Sequence, residues 1–323
     1  MKCIGVYTSG GDAPGMNACL RAVVRTAIAH GLDVVGIRRG YQGMIEGDFL
    51  KMEAPSVSNI IQRGGTILKS SRSEQFRTPE GRQRAYNRLK EAGVEGLVAI
   101  GGDGTFAGAR IFASEFNLPV VGAPGTIDND LYGTDFTIGF DTALNTAMDG
   151  IDKIRDTADS HNRLFFVEVM GRDAGFIALN AGIAGGAEAV LIPEQKTHLD
   201  QLIGKLEQGW LRHKTSSIIV VAEGDDAGGA FSVAEAVKQQ LPYYDTRVVV
   251  LGHIQRGGTP TCMDRVLASR LGHAAVEALL EGLSNVMVGQ VNNKIVHTSF
   301  AKACKYHQDF NPNLVHLVEV LSV

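Results

Sequence analysis

The chain has 323 residues, of which 44% are apolar and 20% are charged, and its formal net charge is −4 at pH 7. This length suggests about two domains with a large buried core. A weakly negative chain has no overall basic field, so we expect no nucleic acid and no membrane as a partner. Any polyanionic ligand then needs local clusters of arginine.

The cysteines and the N-terminus predict a cytoplasmic protein. Cys3, Cys19, Cys262 and Cys304 form no CxxC pair and no zinc-ligand spacing, which is typical of unpaired thiols in a reducing compartment. The N-terminal apolar run is too short for a signal peptide. No segment approaches the roughly 18 consecutive apolar residues of a membrane span.

Short β-branched runs alternate along the chain with segments of helical period. The pattern predicts a strand at 3–7, a helix at about 16–30, and strands at 32–37, 96–100 and 119–122. An amphipathic helix at 142–157 follows, then strands at 164–170, 189–192, 217–222 and 247–251, and a long helix at about 264–281. Apolar strands alternating with helices indicate an α/β fold with mostly parallel sheets covered on both faces. The units are too many for one sheet, so we predict two Rossmann-like three-layer lobes with a break near 138–140.

Two glycine-rich turns join predicted strands to helices. In TSGGDAPGMN (8–17) the backbone N–H groups can form an anion cradle, although the spacing is neither GxGxxG nor a Walker A loop. A tight turn capped by Asp12 explains the same residues, and both readings stay open. In IGGDGT (100–105) the glycines let a phosphate chain lie on the backbone, and Asp103 is placed to hold magnesium. The alternative is a turn with Asp103 as helix cap.

A third segment, PGTIDND (124–130), places Asp128 and Asp130 two residues apart beside Thr126. Phosphoryl transfer to an alcohol needs a group that accepts the hydroxyl proton and a metal that neutralises charge, and one aspartate can do each. An Asx-turn loop remains the alternative.

Several arginines lie in turns that flank predicted parallel strands, where they suit bidentate phosphate contacts. They are Arg72, Arg163, Arg172, Arg247 and Arg256. His253 is a candidate sugar or phosphate contact, and Glu223 could accept hydrogen bonds from a sugar hydroxyl or cap a helix. The residues thus predict phosphoryl transfer from a nucleotide to a phosphorylated hydroxyl compound.

Taken together, the motifs resemble those of the 6-phosphofructokinase family. The matching segments are TSGGDAPGMNA, RGGT, IGGDGT, PGTIDND, DKIRDTADSH, VEVMGR, IAGGAE and GHIQRGGTP, in family order across most of residues 1–270. The resemblance implies phosphorylation of fructose 6-phosphate at its 1-hydroxyl by MgATP. It also implies an ATP-binding lobe at 1–139 with 253–305, and a sugar-phosphate-binding lobe at 140–252 with 306–323.

The resemblance also implies residue roles. Asp128 would accept the hydroxyl proton, in a catalytic set with Arg72, Thr126 and Arg172. ATP would contact Gly11, Tyr41, Arg72, Ser73, Phe76, Arg77, Gly102, Asp103, Gly104 and Thr105. Fructose 6-phosphate would contact Thr126, Ile127, Asp128, Met170, Gly171, Arg172, Glu223, His253 and Arg256, with Arg163 and Arg247 supplied by a neighbouring subunit of a homotetramer. Magnesium would be held by Asp103 with Asp130.

Regulation is a further implication. Arg21, Arg25, Arg155, Glu188, Arg212 and Lys214 match the family's effector site for ADP or phosphoenolpyruvate. Ala54 stands where an arginine is usual, which removes a phosphate contact and predicts a weakened or altered effector response. The stretch after about Val288 matches poorly, and we assign it no function beyond packing.

A few residues distinguish an ATP-dependent sugar-phosphate kinase from proteins with other functions. Pyrophosphate-dependent relatives resemble GGDD and PKTIDND where this chain has Gly104 and Gly125, so ATP is the favoured donor. An NAD or lipid kinase shares IGGDGT but not the other motifs. A dinucleotide-dependent oxidoreductase needs a GxGxxG turn after its first strand, and the glycine spacing here does not match it. A non-catalytic sugar-phosphate-binding module would be expected to lack Asp128 or Asp103.

Overall fold

The computed structural model of the chain describes residues 1–161, 163–212, 216–306, 308 and 310–322. Its internal contacts divide the chain into two compact units, which are described separately. Unit 1 contains Met1–Ile127, Leu131–Thr142 and Arg256–Gln308. Unit 2 contains Asp128–Asp130, Ala143–Gln255 and Asp309–Val323. The predicted fold class, α/β with mostly parallel sheets in two lobes, is confirmed.

The strands, in chain order, are β1 (Cys3–Thr8), β2 (Asp33–Ile37), β3 (Phe49–Met52), β4 (Gly96–Gly101), β5 (Val120–Pro124), β6 (Arg163–Val169), β7 (Ala189–Leu191), β8 (Ser217–Ala222), β9 (Asp245–Val250), β10 (Val286–Val291) and β11 (Lys294–Ser299). The helices are α1 (Met16–Ala29), α2 (Gly40–Glu46), α3 (Pro79–Glu91), α4 (Asp103–Phe116), α5 (Phe140–His161), α6 (Phe176–Ala184), α7 (Leu199–Leu211), α8 (Gly229–Gln240), α9 (Cys262–Leu280), α10 (Phe300–Lys305) and α11 (Pro312–Leu321). Short 3₁₀ turns cover Ala54–Val57, Gln75–Arg77 and Gly252–Arg256.

Unit 1 is built on a sheet with the strand order β11-β10-β5-β4-β1-β2-β3. The inner strands are parallel, whereas β3 and β11 pair antiparallel at the two edges. Every residue of β4 and β5 is buried, which explains why their sequences are continuous apolar runs without alternation. Helices α1 and α9 pack on each other and on β4, while α4 and α10 pack together with Phe106, Phe112 and Phe300 fully buried.

The β10–β11 hairpin is an element that the sequence analysis does not predict. Val291 pairs with Lys294, so only Asn292 and Asn293 form the loop. Their φ angles are 50° and 63°, as a type I′ turn requires, and asparagine tolerates this left-handed region better than most residues.

Unit 2 has a parallel sheet with the strand order β7-β8-β6-β9. Helices α7 and α8 cover a core that includes Phe166, Ile219 and Val233, whereas α6 and α11 pack together against β7. The C-terminal helix α11 therefore belongs to this unit, as part of its packing. Within the described ranges, no helix is both long enough and apolar enough to cross a membrane.

Candidate functional site

Three glycine-containing loops of unit 1 start at the carboxyl ends of β1, β4 and β5. These strands are neighbours and parallel, so the loop at 9–15, the turn at Gly102 and the loop at 125–127 begin at one edge of the sheet. Ligands of open α/β sheets bind at this edge. The fold therefore brings together the segments TSGGD, IGGDG and PGT, which the sequence analysis assigns to phosphate and substrate.

The first loop needs glycine for two different reasons. Gly10 has a φ of 83°, in the left-handed region. At Gly11 an added Cβ would lie only 2.4 Å from Nη1 of Arg256, so glycine lets this guanidinium lie directly on the loop. The same guanidinium donates to the carbonyl oxygen of Asp12 at 3.4 Å. Arg256 is thus a cation at the loop proposed for ATP.

Helix α4 begins at the second loop with Asp103 as its first residue. Asp103 and Gly104 are exposed, and the free N–H groups of a first helical turn favour an anion there. Thr105 is buried, and its Oγ1 has no hydrogen-bond partner among the described residues. A Cβ built on Gly101 would lie 2.4 Å from this oxygen, so the hydroxyl packs against the glycine loop.

Gly104 and Gly125, the two glycines used to choose the phosphate donor, differ in what surrounds them. A Cβ on Gly104 would meet no described atom within 4 Å, and its φ lies outside the left-handed region. Neither packing nor backbone conformation within the chain therefore requires glycine at 104, which fits a close approach by a ligand. A Cβ on Gly125 would lie 3.1 Å from Met16 and 3.2 Å from Ile100, so packing alone also favours glycine there.

The residues expected near adenosine are partly in the core and partly exposed. Tyr41 and Phe76 are buried and stacked, with ring centroids 3.9 Å apart. The Ser73 hydroxyl donates to Gln42 and accepts from the N–H of Phe76, which shapes the turn at 73–77. Arg72 and Arg77 are exposed on this segment.

Asn17 is a functional candidate to which the sequence analysis gives no role. Its side-chain amide donates to the carbonyl oxygens of Arg63 and Gly64, and its Oδ1 accepts from the N–H of Ile67. Asn17 is buried in the first turn of α1, so it fixes residues 63–67 to the start of this helix, which follows the TSGGDAPG turn. A polar asparagine in the first turn of a helix that follows a glycine-rich turn could have indicated this role from the sequence.

In unit 2, Asp128 is buried beside Arg172. Nε of Arg172 lies 3.7 Å from Oδ2 of Asp128, whose side chain is 4% exposed. Asn129 and Arg172 both have a φ of 53°, an uncommon conformation for residues other than glycine. Thr126 and Ile127, which precede this segment, are buried in unit 1. Asp130 is half-buried.

Two side chains shape the loop that follows β6. Oε1 of Glu223 accepts hydrogen bonds from the N–H groups of Gly171 and Arg172, at 3.2 and 2.8 Å. Gln255, which is fully buried, accepts from the N–H of Met170 at 3.4 Å and donates to Gly252. One oxygen of Glu223 therefore holds Arg172 in place, a role that the sequence alone does not reveal. His253 is exposed on the 3₁₀ turn.

Arg163 and Arg247 meet at a single carboxylate. Arg163 starts β6 and lies opposite Asp245 on β9, at 2.8 Å between Nε and Oδ2. Arg247 reaches the other oxygen of Asp245 at 2.9 Å. Hydrogen bonding to Arg163, with the charges of both arginines, lowers the pKa of Asp245. The cluster keeps a net positive charge and a surface location, which suits a phosphate group.

The described members of the predicted effector set are divided between the two units. Arg21 is half-buried and Arg25 exposed on α1 of unit 1. In unit 2, Arg155 donates to the carbonyl oxygens of Gly185 and Gly186, and Glu188 is buried. Arg212 is exposed at the end of α7, and Ala54 is exposed in unit 1. Lys214 lies outside the described residues.

The donor set for magnesium is small. No group of three or more His, Cys, Asp or Glu suited to a metal occurs in the part of the chain that the structure describes. Magnesium needs only one or two carboxylates when phosphate oxygens and water complete its shell. The exposed carboxylate of Asp103, at a helix start that favours phosphate, fits that kind of binding.

The chain is similar to known proteins along its whole length. The family model described as Phosphofructokinase matches residues 3–279. A relative from Bacteroides thetaiotaomicron, named ATP-dependent 6-phosphofructokinase 2, is 58% identical over 323 residues and covers 100% of this chain and 99% of its own length. A protein of Thermus thermophilus, named ATP-dependent 6-phosphofructokinase 1, is also 58% identical, and the match covers both chains fully.

Solved structures show the same fold. Phosphofructokinase from Saccharomyces cerevisiae superposes with a TM-score of 0.89 at 38% identity; the match covers 100% of this chain and 47% of that longer one. A pyrophosphate-dependent phosphofructokinase from Marinobacter aquaeolei has a TM-score of 0.84 at 23% identity, covering 97% and 86%, and supports the fold alone. By full-length similarity to its bacterial relatives, this chain belongs to the phosphofructokinase family.

Proposed function

We propose that this protein is an ATP-dependent 6-phosphofructokinase, which transfers the γ-phosphoryl group of ATP to the 1-hydroxyl of fructose 6-phosphate. The products are fructose 1,6-bisphosphate and ADP, in the glycolytic direction. The observation that carries the proposal is the 58% identity, along the whole chain, to relatives that bear this name. The three loops at the edge of the unit 1 sheet and the Asp128–Arg172 pair supply the chemistry that the name requires.

ATP would lie on the loops that begin at β1 and β4. Backbone N–H groups around Gly11 and at the start of α4 would bind its phosphates, with Arg256 as a nearby cation. Gly104 has open space beyond its Cα, which leaves room for the nucleotide's inner phosphate. Arg72, exposed at the end of the segment RGGTILKSSR (63–72), would contact the phosphate in transfer.

Asp128 would accept the proton of the sugar hydroxyl as the oxygen attacks phosphorus. Its carboxylate is buried and directed by the surrounding loop, and Arg172 beside it stabilises the negative charge. Because phosphoryl transfer passes through a loose transition state, the base acts mainly by position. Glu223 and Gln255 fix the backbone that carries Arg172 and Met170.

Magnesium would be held by Asp103, with Asp130 as the second carboxylate. When bound, it would neutralise charge on the phosphate oxygens of ATP. The sugar phosphate would be bound by His253 in its own subunit, and by Arg163 and Arg247 of a neighbouring subunit in a homotetramer. That arrangement is supported by the exposed, positively charged cluster around Asp245.

Three further assignments remain parts of this proposal. ATP binding belongs to unit 1 and sugar-phosphate binding to unit 2, close to the lobes drawn from the sequence. ADP or phosphoenolpyruvate binds the effector residues, with a response altered by Ala54. Cys3, Cys19, Cys262 and Cys304 form no disulfide among the described residues, which fits a cytoplasmic location.

The direct test is product formation from fructose 6-phosphate and Mg²⁺, with ATP and pyrophosphate as donors in parallel reactions. We expect fructose 1,6-bisphosphate with ATP alone. Product with pyrophosphate alone would retain the sugar chemistry and overturn the choice of donor. If neither ATP nor pyrophosphate gave product, the proposed reaction would be overturned.

A further inference from the structure

A chain of buried hydroxyl groups connects β1 to the first turn of α4. The hydroxyl of Tyr7 donates to the hydroxyl of Tyr41 at 3.1 Å, and Tyr41 donates to the carbonyl oxygen of Thr105 at 2.5 Å. Tyr7, Tyr41 and Thr105 are 1%, 8% and 3% exposed, so water is largely excluded from the chain. Each hydroxyl has a single proton. Because Tyr41 donates its proton to Thr105, its oxygen can only accept a hydrogen bond from Tyr7.

Tyr41 is held tightly against α4 by this arrangement. A Cβ on Gly108 would lie 3.0 Å from the Tyr41 hydroxyl, which shows how closely the ring approaches the helix. Phe76 stacks on the Tyr41 ring. Burial raises the pKa of Tyr7 and of Tyr41, so both hydroxyls remain protonated at neutral pH. The hydroxyl chain is therefore a fixed contact under ordinary conditions.

The carbonyl oxygen that accepts this hydrogen bond belongs to the first turn of α4, where the phosphates of ATP are proposed to bind. Thr105 is the third residue of α4, so its own N–H is one of the free N–H groups of the first helical turn. Its side chain packs against Gly101. A shift of the Thr105 carbonyl therefore moves the N–H groups that would face the phosphates.

The Tyr7 hydroxyl is not needed for packing, because phenylalanine would fill the same space. The rings of Tyr7 and Tyr41 lie 5.2 Å apart, and phenylalanine at position 7 would keep that contact. A buried hydroxyl is unfavourable unless it forms a hydrogen bond, so its presence in an apolar core points to the bond it makes.

We propose that Tyr7 is a positioning residue for the nucleotide: through Tyr41, it fixes the first turn of α4 where the phosphates of ATP bind. The inference rests on the proposed function, because it needs a nucleotide at that turn. Tyr7 itself touches no substrate. Its effect is cooperative, since the hydrogen bond it gives to Tyr41 strengthens the one that Tyr41 gives to Thr105.

The test compares Tyr7→Phe, Tyr41→Phe and the double variant with the wild-type protein. Calorimetry measures the dissociation constant of a non-hydrolysable ATP analogue with Mg²⁺, and initial rates give the KM values for MgATP and fructose 6-phosphate. We expect Tyr7→Phe to weaken nucleotide binding by about 2- to 10-fold, the range of one net hydrogen bond. The KM for fructose 6-phosphate should not change. In the Tyr41→Phe background, Tyr7→Phe should add almost nothing.

Tyr244→Phe is the matched control. Tyr244 is also buried and donates to a helix carbonyl, that of Leu206 at 3.0 Å, but it lies in unit 2. Nucleotide affinity should be unchanged in this variant. Equal effects of Tyr7→Phe and Tyr244→Phe, or an undiminished effect of Tyr7→Phe in the Tyr41→Phe background, would overturn the inference.

Different results would contradict the proposed function and the role of Tyr7. Wild-type protein that binds no nucleotide would end both the proposed function and this inference. Wild-type protein that binds nucleotide, together with an unchanged Tyr7→Phe variant, would end the inference alone.

Discussion

Arg82 on α3 is expected to stabilise the turn that carries Phe76 and Arg77. Its guanidinium, only 9% exposed, binds both carboxylate oxygens of Glu115 at 2.6 and 2.7 Å. It also donates to the carbonyl oxygens of Phe76 and Arg77 at 3.2 and 2.7 Å. One side chain thus joins α3, α4 and the turn at 75–77.

Arg82→Met keeps the apolar stem and removes all four hydrogen bonds. Each bond from a charged group is worth about 1.5–3 kcal/mol at most. The sum is reduced because Glu115 is 35% exposed and can rehydrate, and because burial of the guanidinium has its own desolvation cost. We therefore expect the free energy of unfolding to fall by about 2–4 kcal/mol.

The pH dependence has a definite sign. Hydrogen bonding to Arg82 lowers the pKa of Glu115 in the folded protein. A carboxyl group with a lowered folded pKa contributes stability above its unfolded pKa, about 4.3 for glutamate, and loses it as the pH falls through the folded value. The stability difference between wild type and Arg82→Met should therefore narrow in acid.

Urea unfolding of the ligand-free protein, followed by far-ultraviolet circular dichroism, measures the change. Fluorescence of the single tryptophan, Trp210, would report on unit 2 instead. Hydrogen exchange of residues 75–91 should also become faster in Arg82→Met. The control is Arg88→Met on the same helix, whose ion pair with Glu91 is more than half exposed and should change stability by less than about 0.5 kcal/mol. Equal urea midpoints and equal exchange in the two variants would refute the reasoning.

Three other substitutions test the site and its support. Gly104→Ala should leave thermal unfolding unchanged or slightly improved, because its Cβ meets open space, but should raise the KM for MgATP several-fold; an unchanged KM would contradict a close approach of the nucleotide. Gly11→Ala should reduce turnover, because its Cβ would lie 2.4 Å from Arg256 and displace it; wild-type kinetics would show that this contact is unimportant. Asp264→Asn should lower the free energy of unfolding by about 1–3 kcal/mol, because the buried carboxylate accepts from Gly139 and from both donors of Thr142. Unchanged urea unfolding of Asp264→Asn would contradict that estimate.

Strands β4 and β8 were predictable because they are buried on both faces. The six residues of β4, and likewise those of β8, are all buried, so their sequences are unbroken apolar runs. The β10–β11 hairpin carries a weaker pattern. Asn292–Asn293 mark its turn, but both strands are only partly buried.

The candidate site was predictable where local chemistry marks it. The glycine turns that precede Asp103 and Asp128 were expected at strand ends, and in the fold they follow β4 and β5, which are adjacent and parallel. Residues whose roles depend on distant partners could not be predicted. Asn17 reaches residues 46 to 50 positions away, and Gln255 reaches Met170 across 85. Asp245 forms ion pairs with Arg163 and Arg247, whereas the sequence predicted only contacts with phosphate for these arginines.

In the proposed function, this chain transfers a phosphoryl group from ATP to fructose 6-phosphate with Asp128 as the base. The most direct measurement is the rate of fructose 1,6-bisphosphate formation, with saturating MgATP and fructose 6-phosphate, by the wild-type protein and by Asp128→Asn. We expect turnover by the wild type and a loss of at least about 100-fold in kcat for the variant, the range of general-base catalysis, with fructose 6-phosphate binding retained. Equal kcat values would contradict the role of Asp128, and no product from the wild type would contradict the function itself.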